Sequence, residues 1–259
     1  MFLNAVANDP RNNHLLAALW PTEQSWLSLL QAVDLPAGMM LFEAGQELHN
    51  LYFPTTAVIS LMMVLENGDT AETAMVGNEG IVGVSTFMGG DTALTCAAVR
   101  IAGRGWRIRT EVLLQEFHRC GLVQQLLLRY TQALIAQMSQ TAICNRHHVI
   151  EQQLCRCLLL TLDRLQGNEV VMTHDQIAQS LGVRREGVTA AAGALQKAGF
   201  IRSSRGRMTV LGRAGLEARV CECYGVVRAR YDELNIDVHP EVCSKSAATR
   251  ALAADAELD

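Results

Sequence analysis

The stretch THDQIAQSLGVRREGVTAAAGALQKAGFIRSSRGR, residues 173–207, constrains the fold more than any other part of this chain. Thr173 and Gln176 have capping-box spacing, in which hydroxyl and amide satisfy free backbone N–H groups at a helix start. The first helix runs through Ile177, Ala178 and Leu181, and Gly182 is placed to end it with a left-handed residue. In the second helix Val188, Ala191, Leu195 and Ala198 recur at helical spacing, which turns Arg185, Glu186 and Thr189 away from the core. Gly199, Phe200 and Ile201 end that helix and begin a strand. Ser204, Arg205, Gly206 and Arg207 then make a hairpin turn before the strand Met208, Thr209, Val210, Leu211. The expected pattern is helix, turn, helix and a basic wing.

Charge isolates the same segment. The 259 residues carry a net charge of −4, yet between His174 and Arg213 seven basic residues face two acidic ones, a local charge of +5 against −9 elsewhere. Such polarity is expected when one module meets phosphate and the rest does not.

Length allows about two domains. No apolar run approaches the roughly 20 residues of a membrane-spanning helix, and the amino terminus lacks a basic region followed by an apolar core; no membrane contact and a cytoplasmic location are expected. The eight cysteines form no CxxC pair. Cys155 and Cys157, and likewise Cys221 and Cys223, stand two apart on expected helices, which points each pair about 200° apart. No metal site and no cofactor are therefore expected, and the polar run Asn145, Arg146, His147, His148 reads as a joint between domains rather than a ligand set. No GxSxG, HExxH, P-loop or dinucleotide-binding glycine pattern occurs, which argues against an enzyme.

In chain order, residues 15–33 read as helical with an interruption near Trp20 and Pro21, and Trp26, Leu27, Leu29, Leu30 and Val33 as its core stripe. Residues 39–109 are short apolar stretches with a glycine-bearing turn every ten or so residues, the pattern of antiparallel strands closed into a roll. Residues 110–166 are helical. Leu127, Leu134, Met138 and Thr141 recur there at spacings of seven, four and three, which predicts a seam shared with a second copy.

The order glycine-rich roll, long helix, winged helix-turn-helix resembles the Crp/Fnr family of bacterial transcription regulators over residues 12–235. THDQIAQSLGVRREGVT and LQKAGFI are similar to its helix-turn-helix signature, and GLEARVCECYGVVRARYDEL to a carboxy-terminal helix of one branch. The resemblance implies an α+β chain: a sensor roll with an amino-terminal helix (12–120), a dimerisation helix and hinge (121–150) and a winged helix-turn-helix (151–235); the Ala-rich, acidic composition of 236–259 reads as a mobile tail. The resemblance also implies a homodimer on a two-fold symmetric promoter site in double-stranded DNA, acting with RNA polymerase.

By the same resemblance Arg185, Glu186 and Thr189 read bases. Arg185 suits guanine O6 and N7, and Glu186 suits cytosine N4. Thr173, Arg184, Arg205 and Arg207 are the expected phosphate contacts. Arg184 stands where the family has a Ser or Thr cap, and Ala190 where it has a second Arg, which implies an altered target. Gly187 and Gly193 suggest close backbone approach, to DNA or to the first helix. In the sensor, Gly83, Val84, Leu94, Thr95 and Ser139 occupy the family's effector pocket, with Val84 and Leu94–Thr95 replacing the Glu and the Arg–Ser/Thr pair that hold ribose and cyclic phosphate. Without those charges cyclic AMP is not the expected effector, whose identity stays unknown. No cysteine precedes Cys96, so the family's amino-terminal iron–sulfur cluster is not expected either. The alternatives are a scaffold whose helix-turn-helix contacts protein, or a cyclic-nucleotide-responsive regulator with an atypical pocket.

Overall fold

The computed structural model describes residues 9–22, 25–90 and 92–235; the expected tail, 236–259, lies outside them. The chain is α+β. A short helix α1 (His14–Leu19) begins it, started by the Asn13 side chain, which accepts from the Leu16 N–H. Helical structure does not persist to residue 33. Pro21 breaks it into 3-10 turns at Trp20–Thr22 and Ser25–Leu29, and strand β1 (Gln31–Leu35) follows. Trp26 is buried as expected, while Leu29 is exposed and Val33 is paired with Gly105.

Two antiparallel sheets make the roll. One joins β1, β7 (Gly103–Arg109) and β3 (Asn50–Pro54) in the order β1-β7-β3. The other joins β2 (Met40–Phe42), β6 (Cys96–Ile101), β4 (Val58–Val64) and β5 (Thr70–Val76) in the order β2-β6-β4-β5. Both feed one apolar core, with Leu35, Leu51, Phe53, Ile59, Val76 and Ile108 all fully buried.

The helical stretch expected over 110–166 is three helices: α2 (Thr110–His118), α3 (Leu122–His147) and α4 (Ile150–Leu162). The first break falls at Cys120, whose φ of 56° lies in the left-handed region. The second falls at His148 and Val149, both extended, so α3 runs through Asn145, Arg146 and His147 and the joint is one residue pair. The last domain adds β8 (Glu169–Val171), α5 (His174–Leu181), α6 (Arg185–Lys197), β9 (Ile201–Ser204), β10 (Arg207–Val210), α7 (Arg213–Glu217) and α8 (Cys223–Asp232). Its sheet has the order β8-β10-β9. No helix among the described residues is long and apolar enough to cross a membrane.

Roll and carboxy-terminal domain are packed directly on each other. Val58, Met75 and Ile101 of the roll enter the same apolar cluster as Leu154, Leu158, Ile177 and Leu195. Two buried arginines cross the joint. Arg164 donates from Nε to Glu79 at 2.8 Å and from Nη2 to Gln137 at 3.0 Å, and stacks over Tyr231 of α8 at 5.3 Å. Arg100 pairs with Glu72 at 2.8 Å and reaches Cys157 of α4 at 3.0 Å. Burial opposes both charges, and Glu72 and Cys157 for Arg100, and Glu79 and Tyr231 for Arg164, outweigh it and hold each guanidinium above its ordinary pKa. A Cβ on Gly77 would stand 2.7 Å from Arg164 and one on Gly80 2.2 Å from Tyr130, so this turn needs glycine to admit both side chains. Helix α8 then returns along α3, with the Tyr130 and Tyr231 rings 6.3 Å apart.

Candidate DNA-reading site

The reading element is built as the local chemistry requires. Thr173 caps α5: its side chain accepts from the Gln176 N–H while the Gln176 side chain accepts from the Thr173 N–H at 2.8 Å. Gly182, at φ 63°, ends α5 and turns the chain into α6. Helix α6 buries Val188, Ala191, Ala192 and Leu195 against α4 and α5, and the same phasing leaves Arg184, Arg185, Glu186, Thr189 and Ala190 exposed on one side. Arg184 occupies the cap position but makes no side-chain capping bond, which leaves its charge outward.

The two glycines differ in role. A Cβ on Gly187 would stand 2.6 Å from Ile150, so this glycine lets α6 approach α4, not the first helix of the pair. Around Gly193 nothing lies within 4 Å, and that side of the helix stays open.

The wing stands beside α6. Arg205, at φ 30°, and Gly206, at φ 80°, form the tip between β9 and β10, so a non-glycine residue is held in the left-handed region with its charge exposed. Arg207 lies at the base of β10, 3.3 Å from Glu169. Arg185 is 3.4 Å from Asp175 across the turn, an exposed pair of the kind worth about 0–1 kcal/mol. Such a pairing orients Arg185 without holding it back.

His174 had no assigned part in the sequence reading and turns out to tie the element together. Its Nδ1 lies 3.0 Å from the Thr189 hydroxyl and its Nε2 3.1 Å from that of Ser203 on the wing. The Thr189 hydroxyl also lies 3.0 Å from the Arg185 carbonyl, to which it can donate. Thr189, expected to read bases, is thus within hydrogen-bond reach of two protein partners, His174 and the Arg185 carbonyl. Nothing in the one-dimensional pattern marks His174, since its partners lie 15 and 29 residues away.

Residues 152–219 match the family model described as a Crp-like helix-turn-helix domain. This segment is a helix-turn-helix domain of Crp-like type. Its fold is similar to FixK2 of Bradyrhizobium japonicum, at TM-score 0.63 and 15% identity, with 74% of this chain and 98% of that one covered. It is also similar to the c-di-GMP-responsive regulator CLP of Xanthomonas campestris, at 0.56 and 16% identity over 74% and 98%. A Crp/Fnr-family regulator of Thermus thermophilus matches at 0.56 and 20% identity over 77% and 100%. Comparison with curated proteins by sequence gives no match.

Two sets of expected site residues are placed differently by the structure. Leu127, Leu134 and Thr141 are buried and Met138 is half-buried, packed on the chain's own roll and on α4, so they are not a surface for a second copy. The unpartnered stripe of α3 lies one residue round, at Leu128 (49% exposed), Ile135 (50%) and Ala142, spaced by seven, with Ser139 between them. Both faces of α3 carry apolar residues, and only packing distinguishes them. In the expected effector pocket, Gly83 has φ 110° and a Cβ there would meet Leu51 at 2.4 Å, a packing reason for glycine. Val84 packs on the roll core, Leu94 is 72% exposed and Thr95 half-buried. The Ser139 hydroxyl donates to the Ile135 carbonyl of its own helix.

The cysteines also depart from expectation. Cys221 precedes α8 and Cys223 is its first residue, so the two do not diverge around one helix axis. They converge with Cys144 and His148, all four ligand atoms lying within 4.8 Å of one another.

Proposed function

We propose that the chain is a homodimeric, sequence-specific regulator of transcription that binds a two-fold symmetric DNA site in the cytoplasm and acts on RNA polymerase. The observation that carries this reading is the open side of α6, where Arg184, Arg185 and Glu186 stand together beyond the buried stripe, with wing residues Arg205 and Arg207 alongside. Arg185 reads guanine through a two-pronged contact, and Glu186 accepts from cytosine, each worth about 1–3 kcal/mol of discrimination. Thr173, Arg184, Arg205 and Arg207 bind phosphate and set register, without reading sequence. Ala190 offers a methyl group where a second arginine is usual in the family, which shifts the half-site away from the common one.

Two copies join through Leu128, Ile135 and Ala142 of α3, which places two reading helices on half-sites about one helical turn apart. The sensor roll takes no cyclic AMP, because Val84 and Leu94 carry no charge to neutralise a buried phosphate. Selection of bound duplexes from a random pool at moderate salt tests the reading. Enrichment of an inverted repeat is expected, and recovery of no motif would sink it.

A further inference from the structure

We propose that Cys144, His148, Cys221 and Cys223 form a tetrahedral zinc(II) site that fastens the end of α3 to the start of α8. Cys144 and His148 lie four apart at the end of α3 and so share one face. The three sulfurs are buried together, with Val220 packed on them. Two distances bear on the identity of the ion. The Cys144 and Cys221 sulfurs are 3.6 Å apart, and the Cys223 sulfur is 3.6 Å from His148 Nδ1. Zinc bonds of about 2.3 Å to sulfur and 2.0–2.1 Å to nitrogen set tetrahedral edges of roughly 3.5–3.8 Å. A disulfide would need sulfurs about 2.05 Å apart.

Two neighbours fit an ion at this place. His148 turns its other nitrogen, Nε2, to Glu222 at 3.4 Å, the carboxylate–histidine arrangement that orients an imidazole ligand. Arg156 is 5% exposed, its Nη1 donates to Thr141 at 3.2 Å, and its buried Nε has no partner. This guanidinium lies against Cys144. Beside three neutral thiols it is a buried cation with no carboxylate paired to it among the described residues. Binding of Zn²⁺ by three thiols and one neutral imidazole releases three protons to solvent and leaves a centre of charge −1, which Arg156 balances. The ligands come from both sides of the His148–Val149 break, and two of them lie beyond the matched domain that ends at residue 219. The site therefore sets how stiffly sensor and reader are joined.

The test uses the full chain, purified without a histidine tag, and its metal readouts do not depend on DNA binding. Plasma mass spectrometry is expected to find about one zinc per chain, kept in Cys120→Ser and lost in Cys221→Ser. Should Cys221→Ser fail to fold, cobalt(II) titration of the metal-stripped wild-type chain decides. Tetrahedral d–d bands with thiolate-to-cobalt charge transfer, saturating at one equivalent, support the site. A Glu222→Gln variant is expected to keep the spectrum with affinity lowered about 10-fold to 100-fold. The proposal is overturned by a folded stripped chain that gives no tetrahedral cobalt spectrum. A Cys144–Cys221 disulfide found under reducing conditions, or iron–sulfur absorption in the purified chain, would overturn it as well.

Discussion

Replacing Arg164 by Met would open the joint between roll and reader from its centre. Arg164 is 4% exposed, and it supplies the counter-charge to Glu79, itself buried in the turn that begins at Gly77. The variant leaves the Glu79 carboxylate with only the Gly77 N–H, and leaves Gln137 Oε1 without its donor. Breaking a buried pair by removing one partner costs about 3–5 kcal/mol. At about 2–4 °C of melting temperature per kcal/mol for a chain near this size, the transition falls by roughly 10 °C. Differential scanning calorimetry at pH 7 measures it. The double variant Glu79→Gln, Arg164→Met no longer strands a charge and is expected to recover part of the loss. A single variant that melts within about 2 °C of the parent, or a double variant that falls by the sum of the two singles, would refute the argument that this pair latches the joint.

Other substitutions separate the remaining roles. Arg185→Ala is expected to cost about 1–3 kcal/mol on the preferred site and to relax base preference at one position per half-site in a selection experiment. Arg207→Ala should instead weaken all sequences about equally and lower the salt slope of log K by about one; identical behaviour of the two would contradict their assigned roles. Arg205→Gly removes a left-handed cost of about 1–2 kcal/mol and adds roughly 0.5–1 kcal/mol of unfolded-state entropy. Unfolding by urea should thus show a variant as stable as the parent or up to about 1.5 kcal/mol more so, while filter binding shows weaker DNA affinity. Ile135→Asp places a charge on the open stripe of α3 and is expected to sediment as a folded monomer, whereas Leu134→Asp, one residue earlier, destabilises the fold. Dimers of the Ile135 variant at micromolar concentration would rule out that stripe as the seam.

Features set by neighbours in the chain were legible from the residues alone. The capping box of Thr173 and Gln176, the left-handed Gly182, the buried stripe from Val188 to Leu195 and the Arg205–Gly206 turn all depend on spacings of one to four residues, and all stand where the spacing puts them. The family of the carboxy-terminal domain follows from the same segment. Features that depend on which face meets which partner were not legible. On α3 the apolar residues at 127 and 134 and those at 128 and 135 have equal spacing, and packing on the roll decides which pair stays free. His174 gains its role only when α5, α6 and the wing meet.

The four-residue cysteine and histidine cluster shows the division most plainly. Composition and spacing alone supplied eight cysteines without a CxxC pair, and an assumed continuous helix set Cys221 and Cys223 apart. The chain instead begins α8 at Cys223, and the return of α8 along α3 brings 221 and 223 to 144 and 148, more than seventy residues away. Local hydrogen bonding and helical period, which act over a few residues, determine the helix-turn-helix and its wing. Burial and long-range packing, which no short window contains, decide the free face of α3, the arginine latches and the convergence of the thiols.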